Sequence, residues 1–217
     1  MVLRMKKILS IVMMLVLTLS LAACGRNAGN EDTSTDVEVS KENGTDSESD
    51  VQTGDSENSG KVLVAYFSWS GNTEEMASYI AEQTGGELFE IQPETPYPTD
   101  YDECGEVAKE ERDQNERPAI SNLPESVAEY DTILIGYPIW WHTAPMIIGT
   151  FLENYDLSGI DVYPFTQSAS MDEEQFVNSV EFVQENADGA NVHDGLFARP
   201  SDTETIDTYL SDHGLVQ

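Results

Sequence analysis

From residue 61 onward, short apolar runs alternate with stretches whose apolar residues recur every three or four positions. Val62-Leu63-Val64-Ala65-Tyr66-Phe67 is unbroken by polar residues, the pattern of a strand buried on both faces. Met76, Ala77, Ile80 and Ala81 then repeat at helical spacing, and Gly85-Gly86 marks that helix's end. Leu88 to Ile91 predicts a second strand, followed by a loop carrying Pro93, Pro96 and Pro98. Thr99 opens a polar helix running to about Asn115, with Asp102 as its capping-box partner. Thr132-Ile133-Leu134-Ile135-Gly136 predicts the third strand. Pro145 suits the first turn of a helix whose Met146, Ile147, Ile148, Phe151 and Leu152 face inward. Val162 to Phe165 predicts the fourth strand, and Ser170 with Glu173 caps a helix bearing Phe176, Val177, Val180 and Val183. Residues 190–193 predict a short fifth strand, and Ser201 with Glu204 caps a last helix carrying Ile206, Tyr209 and Leu210.

This β-α alternation predicts an α/β domain: a doubly wound five-stranded parallel sheet with helices on both faces. The Val62 and Thr132 runs are its expected central strands. The pattern differs ahead of this domain. Arg4, Lys6 and Lys7 precede an apolar run from Ile8 to Leu21, and Leu21-Ala22-Ala23-Cys24 closes it. Residues 1–23 therefore read as a secretory signal. The ending resembles the lipobox of bacterial lipoproteins, which implies cleavage before Cys24 and acylation of that residue. Met5 is an alternative start. The alternative to cleavage is a retained anchor, although the run is short against the roughly 20 residues of a full span. Both readings place the domain outside the cytoplasm, held to the membrane of a bacterial envelope. Residues 24–60 are rich in Ser, Thr, Asn, Gly, Asp and Glu and hold no aromatic residue. Such a segment buries too little surface to offset its chain entropy, and its like charges extend it. It reads as a spacer ahead of a domain spanning 61–217.

Composition narrows the partners. The formal net charge is −31, and removal of the cationic signal makes the chain more acidic still. Nucleic acid is excluded as a partner, and a protein with a basic face is favoured. Cys24 and Cys104 are the cysteines of the chain. With Cys24 acylated, Cys104 stands alone, so neither an intrachain disulfide nor a cysteine metal site is expected. His193 and His213 are scattered in sequence, and no metal site is expected of them. Cys104, on the polar helix among acidic neighbours, reads as a bystander.

In a doubly wound sheet the ligand site lies at the carboxyl ends of the strands, near a switch in strand order. After the first strand comes Ser68-Trp69-Ser70-Gly71-Asn72-Thr73, and then a helix begins. Hydroxyl donors, a glycine that lets the backbone approach, and a helix N-terminus together suit a phosphate. No Lys or Arg lies in the loop or in the following helix. It is therefore neither a nucleotide P-loop nor a three-glycine dinucleotide fingerprint. The third strand ends in Gly136-Tyr137-Pro138-Ile139-Trp140-Trp141-His142-Thr143-Ala144-Pro145. Two adjacent tryptophans there suggest rings lying on a flat heterocycle.

These segments resemble the flavodoxin family, whose Ser/Thr-x-Ser/Thr-Gly-Asn-Thr loop follows the first strand. The Tyr-Pro-Ile-Trp-Trp run resembles a short-chain subfamily, as does Pro-Tyr-Pro-Thr-Asp-Tyr-Asp at 96–102. The resemblance covers about residues 61–217 and implies strand order 2-1-3-4-5 and a flavin mononucleotide (FMN) cofactor. It implies that Ser68, Ser70, Gly71, Asn72 and Thr73, with the backbone of Trp69, hold the phosphate. It implies Pro138, Ile139 and Trp140 against the isoalloxazine ring, with Trp141 close behind; His142, beside that ring site, reads as a solvent-facing loop histidine or as a proton or hydrogen-bond donor to the flavin. One tryptophan is expected in the core, and Trp141 is the candidate. After the fourth strand, Thr166, Ser168 and Ala169 are the expected contacts to the pyrimidine edge, although the glycines common there are missing, which points to weaker binding. The expected function is electron transfer. The alternatives are an FMN-dependent NAD(P)H:quinone-type reductase acting on small aromatics, and a binding module that has lost flavin.

Overall fold

The computed structural model describes residues 60–216. Cys24, the signal and the spacer lie outside these residues. Among the described residues no helix is long and apolar enough to cross a membrane. The elements follow the predicted alternation. They are β1 (Val62–Tyr66), α1 (Asn72–Thr84), β2 (Glu87–Glu90), α2 (Tyr101–Gln114), β3 (Thr132–Pro138), α3 (Met146–Glu153), β4 (Asp161–Gln167), α4 (Glu173–Asn186), β5 (Asn191–Val192), β6 (Leu196–Phe197) and α5 (Thr203–Asp212).

The sheet is parallel in the order β2-β1-β3-β4-β5, with β6 also paired to β4. The expected fifth strand is thus two short pieces on the same edge. Asn191 and Val192 pair with Asp161 and Val162, while Leu196 and Phe197 pair with Phe165 and Thr166. The apolar runs occupy the centre as expected, because β1 and β3 are each flanked by strands on both sides. Their side chains alternate between two cores, as a period of two requires. Leu63, Ala65, Phe67, Ile133, Ile135 and Tyr137 face Ile147, Ile148, Phe151 and Leu152 of α3. Val64, Tyr66 and Leu134 face Met76, Ala77 and Ile80 of α1 and Ile206 and Leu210 of α5. Each fully buried aliphatic side chain contributes about 1.5–3 kcal/mol of transfer free energy.

The helix starts differ from expectation in one consistent way. Asp100 caps α2, accepting from the amides of Asp102 at 3.0 Å and Glu103 at 3.1 Å, in place of Thr99. Asp172 caps α4 in place of Ser170, and Asp202 caps α5 in place of Ser201. A carboxylate accepts a charge-assisted bond and meets the positive end of the helix, so it outcompetes a nearby hydroxyl. Val177, expected in the core, is exposed on α4.

The strand order places the site. From β1 the chain crosses to β2 on one side, and β3 then returns on the other. This switch opens a crevice above the carboxyl ends of β1 and β3. The loops after β1, β3 and β4 therefore converge at one end of the sheet.

Candidate functional site

The loop after β1 makes a sharp turn into α1. Gly71 has φ +87°, a left-handed conformation that L side chains rarely adopt, and a Cβ placed there would meet nothing within 4 Å. The Gly71 amide donates to the Ser68 hydroxyl at 3.2 Å, so Ser68 closes the turn. No side chain caps α1. The positive end of the helix and its first-turn amides are left to whatever lies beyond the loop. Among the described residues no hydrogen bond engages the side chains of Ser70, Asn72 or Thr73. Thr73 is otherwise packed away, at 1% exposure. This donor set fits a phosphate held without a cationic side chain. Glu74 and Glu75 occupy the first turn of α1, so the surroundings are acidic up to the cradle itself.

One residue back, Trp69 turns from this cradle into a cavity of about 740 Å³, within the range of small-molecule sites. The indole of Trp69 donates to the carbonyl of Pro98 at 2.9 Å, which fixes its plane. Ile139, Trp140, Trp141 and His142 form a second wall, and Ser168 and Ala169 a third. The three loops picked out in the sequence thus meet around one cavity. Pro138 stands just below, as the last residue of β3.

Both tryptophans line the cavity, but the one packed against the core is Trp140, not the expected Trp141. Trp140 packs against the core, edge-on to Phe67 at 5.4 Å and to Tyr97 at 5.1 Å. Trp141 is 43% exposed. The cause is the backbone. Trp140 and Thr143 exchange hydrogen bonds of 2.9 and 3.1 Å, and Trp141 and His142 between them have φ of +48° and +68°. Two successive left-handed residues make a tight hairpin-type turn that lifts Trp141 and His142 outward. The Trp141 indole reaches α2, donating to the Gly105 carbonyl at 2.7 Å.

One further expectation changes. Thr166 is fully buried, and its hydroxyl donates to the Tyr137 carbonyl at 2.5 Å. It ties β4 to β3 and turns away from the cavity. The loop after β4 closes without glycine: the Met171 amide donates to the Ser168 hydroxyl at 3.0 Å, and Met171 itself takes φ +50°.

The sequence left one wall unassigned. Tyr101, Asp102, Cys104, Gly105, Glu106 and Ala108 of α2 also line the cavity. The polar composition of α2 hid this role, although its run of small residues, Cys104, Gly105 and Ala108, was a usable signal. Cys104 is buried against the cavity. Burial, and secondarily Glu111, raises its thiol pKa above the ordinary value, so the residue is a protonated packing group. Glu111, two turns along the same face, is 8% exposed and accepts from the Tyr97 hydroxyl at 2.9 Å. Burial raises both groups: the carboxyl of Glu111, and, with help from Glu111, the phenol of Tyr97. His193 and His213, far apart in sequence, are brought to 6.4 Å between ring centres, both against Tyr163. His193 also meets Asp161 at 2.8 Å. Asp161 begins β4, so this cluster lies at the end of the sheet away from the cavity.

Known proteins match this architecture. A crystal structure of a protein assigned as a flavoprotein from Bacteroides uniformis is 38% identical to the chain. It covers 70% of the chain and 98% of that protein, with a TM-score of 0.64. A similar protein from Bacteroides eggerthii is 34% identical over 70% of the chain and 97% of its own length, with a TM-score of 0.64. A flavoprotein from Lactobacillus acidophilus, solved in complex with FMN, is 32% identical over 67% of the chain and 97% of its own length, with a TM-score of 0.55. No curated protein matches the chain. The family model described as flavodoxin matches residues 61–210, and the chain, with its parallel sheet and converging loops, belongs to the flavodoxin family.

Proposed function

We propose that the chain is an FMN-binding electron-transfer protein, exported and held to the membrane by a lipid on Cys24. The observation that carries the cofactor is the pairing of two half-sites. The side chains of Ser70, Asn72 and Thr73 stand unengaged at an uncapped helix start, and the adjoining cavity is walled by indoles. A planar ring carrying a phosphate arm matches that pairing, and the Lactobacillus relative was crystallised with FMN. FMN supplies one- and two-electron chemistry when bound.

The chain's residues bind, orient and exclude water. The α1 amides, with Ser70, Asn72 and Thr73, hold the phosphate. Trp69 and Trp140, each fixed by its own contacts, flank the ring. Ser168 and Ala169 approach its far edge. The acidic domain and the aromatic walls disfavour added negative charge at the ring, so a low reduction potential is expected. The same charge favours a redox partner with a basic face.

A second reading is an FMN-dependent NAD(P)H:quinone-type reductase, favoured by the cavity's extension along α2. Stopped-flow mixing of the FMN-loaded protein with NADPH and a quinone separates the two. Slow reduction by NADPH supports the carrier, and rapid hydride uptake followed by quinone reduction supports the enzyme. A yellow protein that regains its visible spectrum on adding FMN supports both; a colourless one with excess FMN sinks both. Anchoring is tested by Cys24→Ser, which should abolish palmitate labelling and release the domain from membranes.

A further inference from the structure

We infer that Arg112, outside the cavity wall, is a positioning residue that pins the turn bearing Trp141 and so shapes the ring half of the site. The inference rests on reading the cavity as an FMN site. Left-handed φ is unfavourable for any residue with a Cβ, and more so for one as bulky as tryptophan. The turn between Trp140 and Thr143 contains two such residues in succession. Its internal bonds do not account for the direction in which Trp141 points. The ties that do so come from α2. An Arg112 Nη1 donates to the Trp141 carbonyl at 3.1 Å, and the guanidinium lies 5.5 Å from the centre of the Trp141 ring. The Trp141 indole in turn donates to Gly105. Arg112 is itself oriented: Nε and Nη2 donate to Asp113 Oδ1 at 3.0 and 2.5 Å, which leaves Nη1 aimed at the turn. Only a planar fork divides its donors this way; the ammonium of a lysine held by Asp113 would not reach across in a fixed direction.

The test uses the full chain in detergent, with binding of FMN and of riboflavin followed by fluorescence quenching. Arg112→Met is expected to weaken both ligands about fivefold to tenfold and to leave the ratio of their dissociation constants unchanged, because the phosphate cradle is untouched. Arg112→Lys is expected to recover only part of the loss. In the ligand-free protein, Arg112→Met should diminish the near-ultraviolet circular dichroism of tryptophan, a signal of indole fixation that no change in ligand charge would move. Trp141→Ala, which removes the ring that Arg112 orients, should lower binding, and adding Arg112→Met to it should lower binding little further. Wild-type affinity for both ligands in Arg112→Met overturns the assignment while leaving the FMN reading intact. So does a loss confined to FMN, which would mark a charge effect on the phosphate. Failure of the unaltered chain to bind either flavin overturns the FMN reading itself, and this inference with it.

Discussion

Replacing Thr73 by valine isolates the contribution of one hydroxyl to the phosphate cradle. The side chain is 1% exposed at the start of α1, and no hydrogen bond among the described residues engages its hydroxyl. Valine has nearly the same shape. In the ligand-free protein the change removes no hydrogen bond, and stability should move by less than about 0.5 kcal/mol. With FMN bound the hydroxyl faces a dianion. A hydrogen bond to a charged group contributes about 1.5–3 kcal/mol, and its loss corresponds to roughly a 10- to 100-fold weaker dissociation constant. Riboflavin has the same ring but no phosphate, so its affinity should not change. Fluorescence titration of the two ligands against both proteins gives four dissociation constants, and the ratio of ratios reports the phosphate contact alone. Equal weakening of FMN and riboflavin would refute the reasoning by showing that the substitution acts through packing. Unchanged FMN affinity would place the phosphate elsewhere.

Four other changes probe the cavity walls and the elements behind them. Gly105→Ala should stabilise the ligand-free protein by about 0.5–1 kcal/mol in denaturant titrations, since a helix-interior glycine is disfavoured and the new methyl would meet nothing within 4 Å. It should also weaken riboflavin binding; unchanged affinity would remove α2 from the ring site. Trp140→Ala should cost about 3 kcal/mol of folding stability, because that ring is wedged against Phe67 and Tyr97. Trp141→Ala should cost less than about 1 kcal/mol, and a reversed order in urea unfolding would contradict the packing described. Glu111→Gln should raise the melting temperature at neutral pH. Burial holds the Glu111 carboxyl above its ordinary pKa, so ionisation opposes folding. The penalty is absent below the ordinary carboxylate range and grows as pH rises through it toward the raised value. The gain from glutamine should therefore shrink on acidification; a gain independent of pH would contradict this origin.

The parts of the molecule legible in the sequence are those governed by local pattern. The Val62 and Thr132 runs could only be central strands, because no polar residue interrupts them to face solvent. The Ser68–Thr73 loop was legible because its chemistry and its place after a buried strand agree. Helix starts shifted by one or two residues because aspartates stand beside the serines and threonines that were expected to cap. The core tryptophan is Trp140 and not Trp141 because that choice follows from backbone angles at Trp141 and His142 that residue types do not announce. The α2 wall, the buried Glu111–Tyr97 pair and the meeting of His193 with His213 all depend on contacts between distant segments. Thr166 looked available because the sequence does not show its hydroxyl reaching across to the Tyr137 carbonyl.

The cradle at α1 is neutral, and Glu74 and Glu75 sit on its first turn in a chain of net charge −31. A dianionic ligand therefore approaches against the field of the whole molecule. Most anion sites lose affinity as ionic strength rises, because salt screens the attraction that built them. Here screening relieves a repulsion, so capture of the phosphate should become faster and tighter in brine than in dilute buffer.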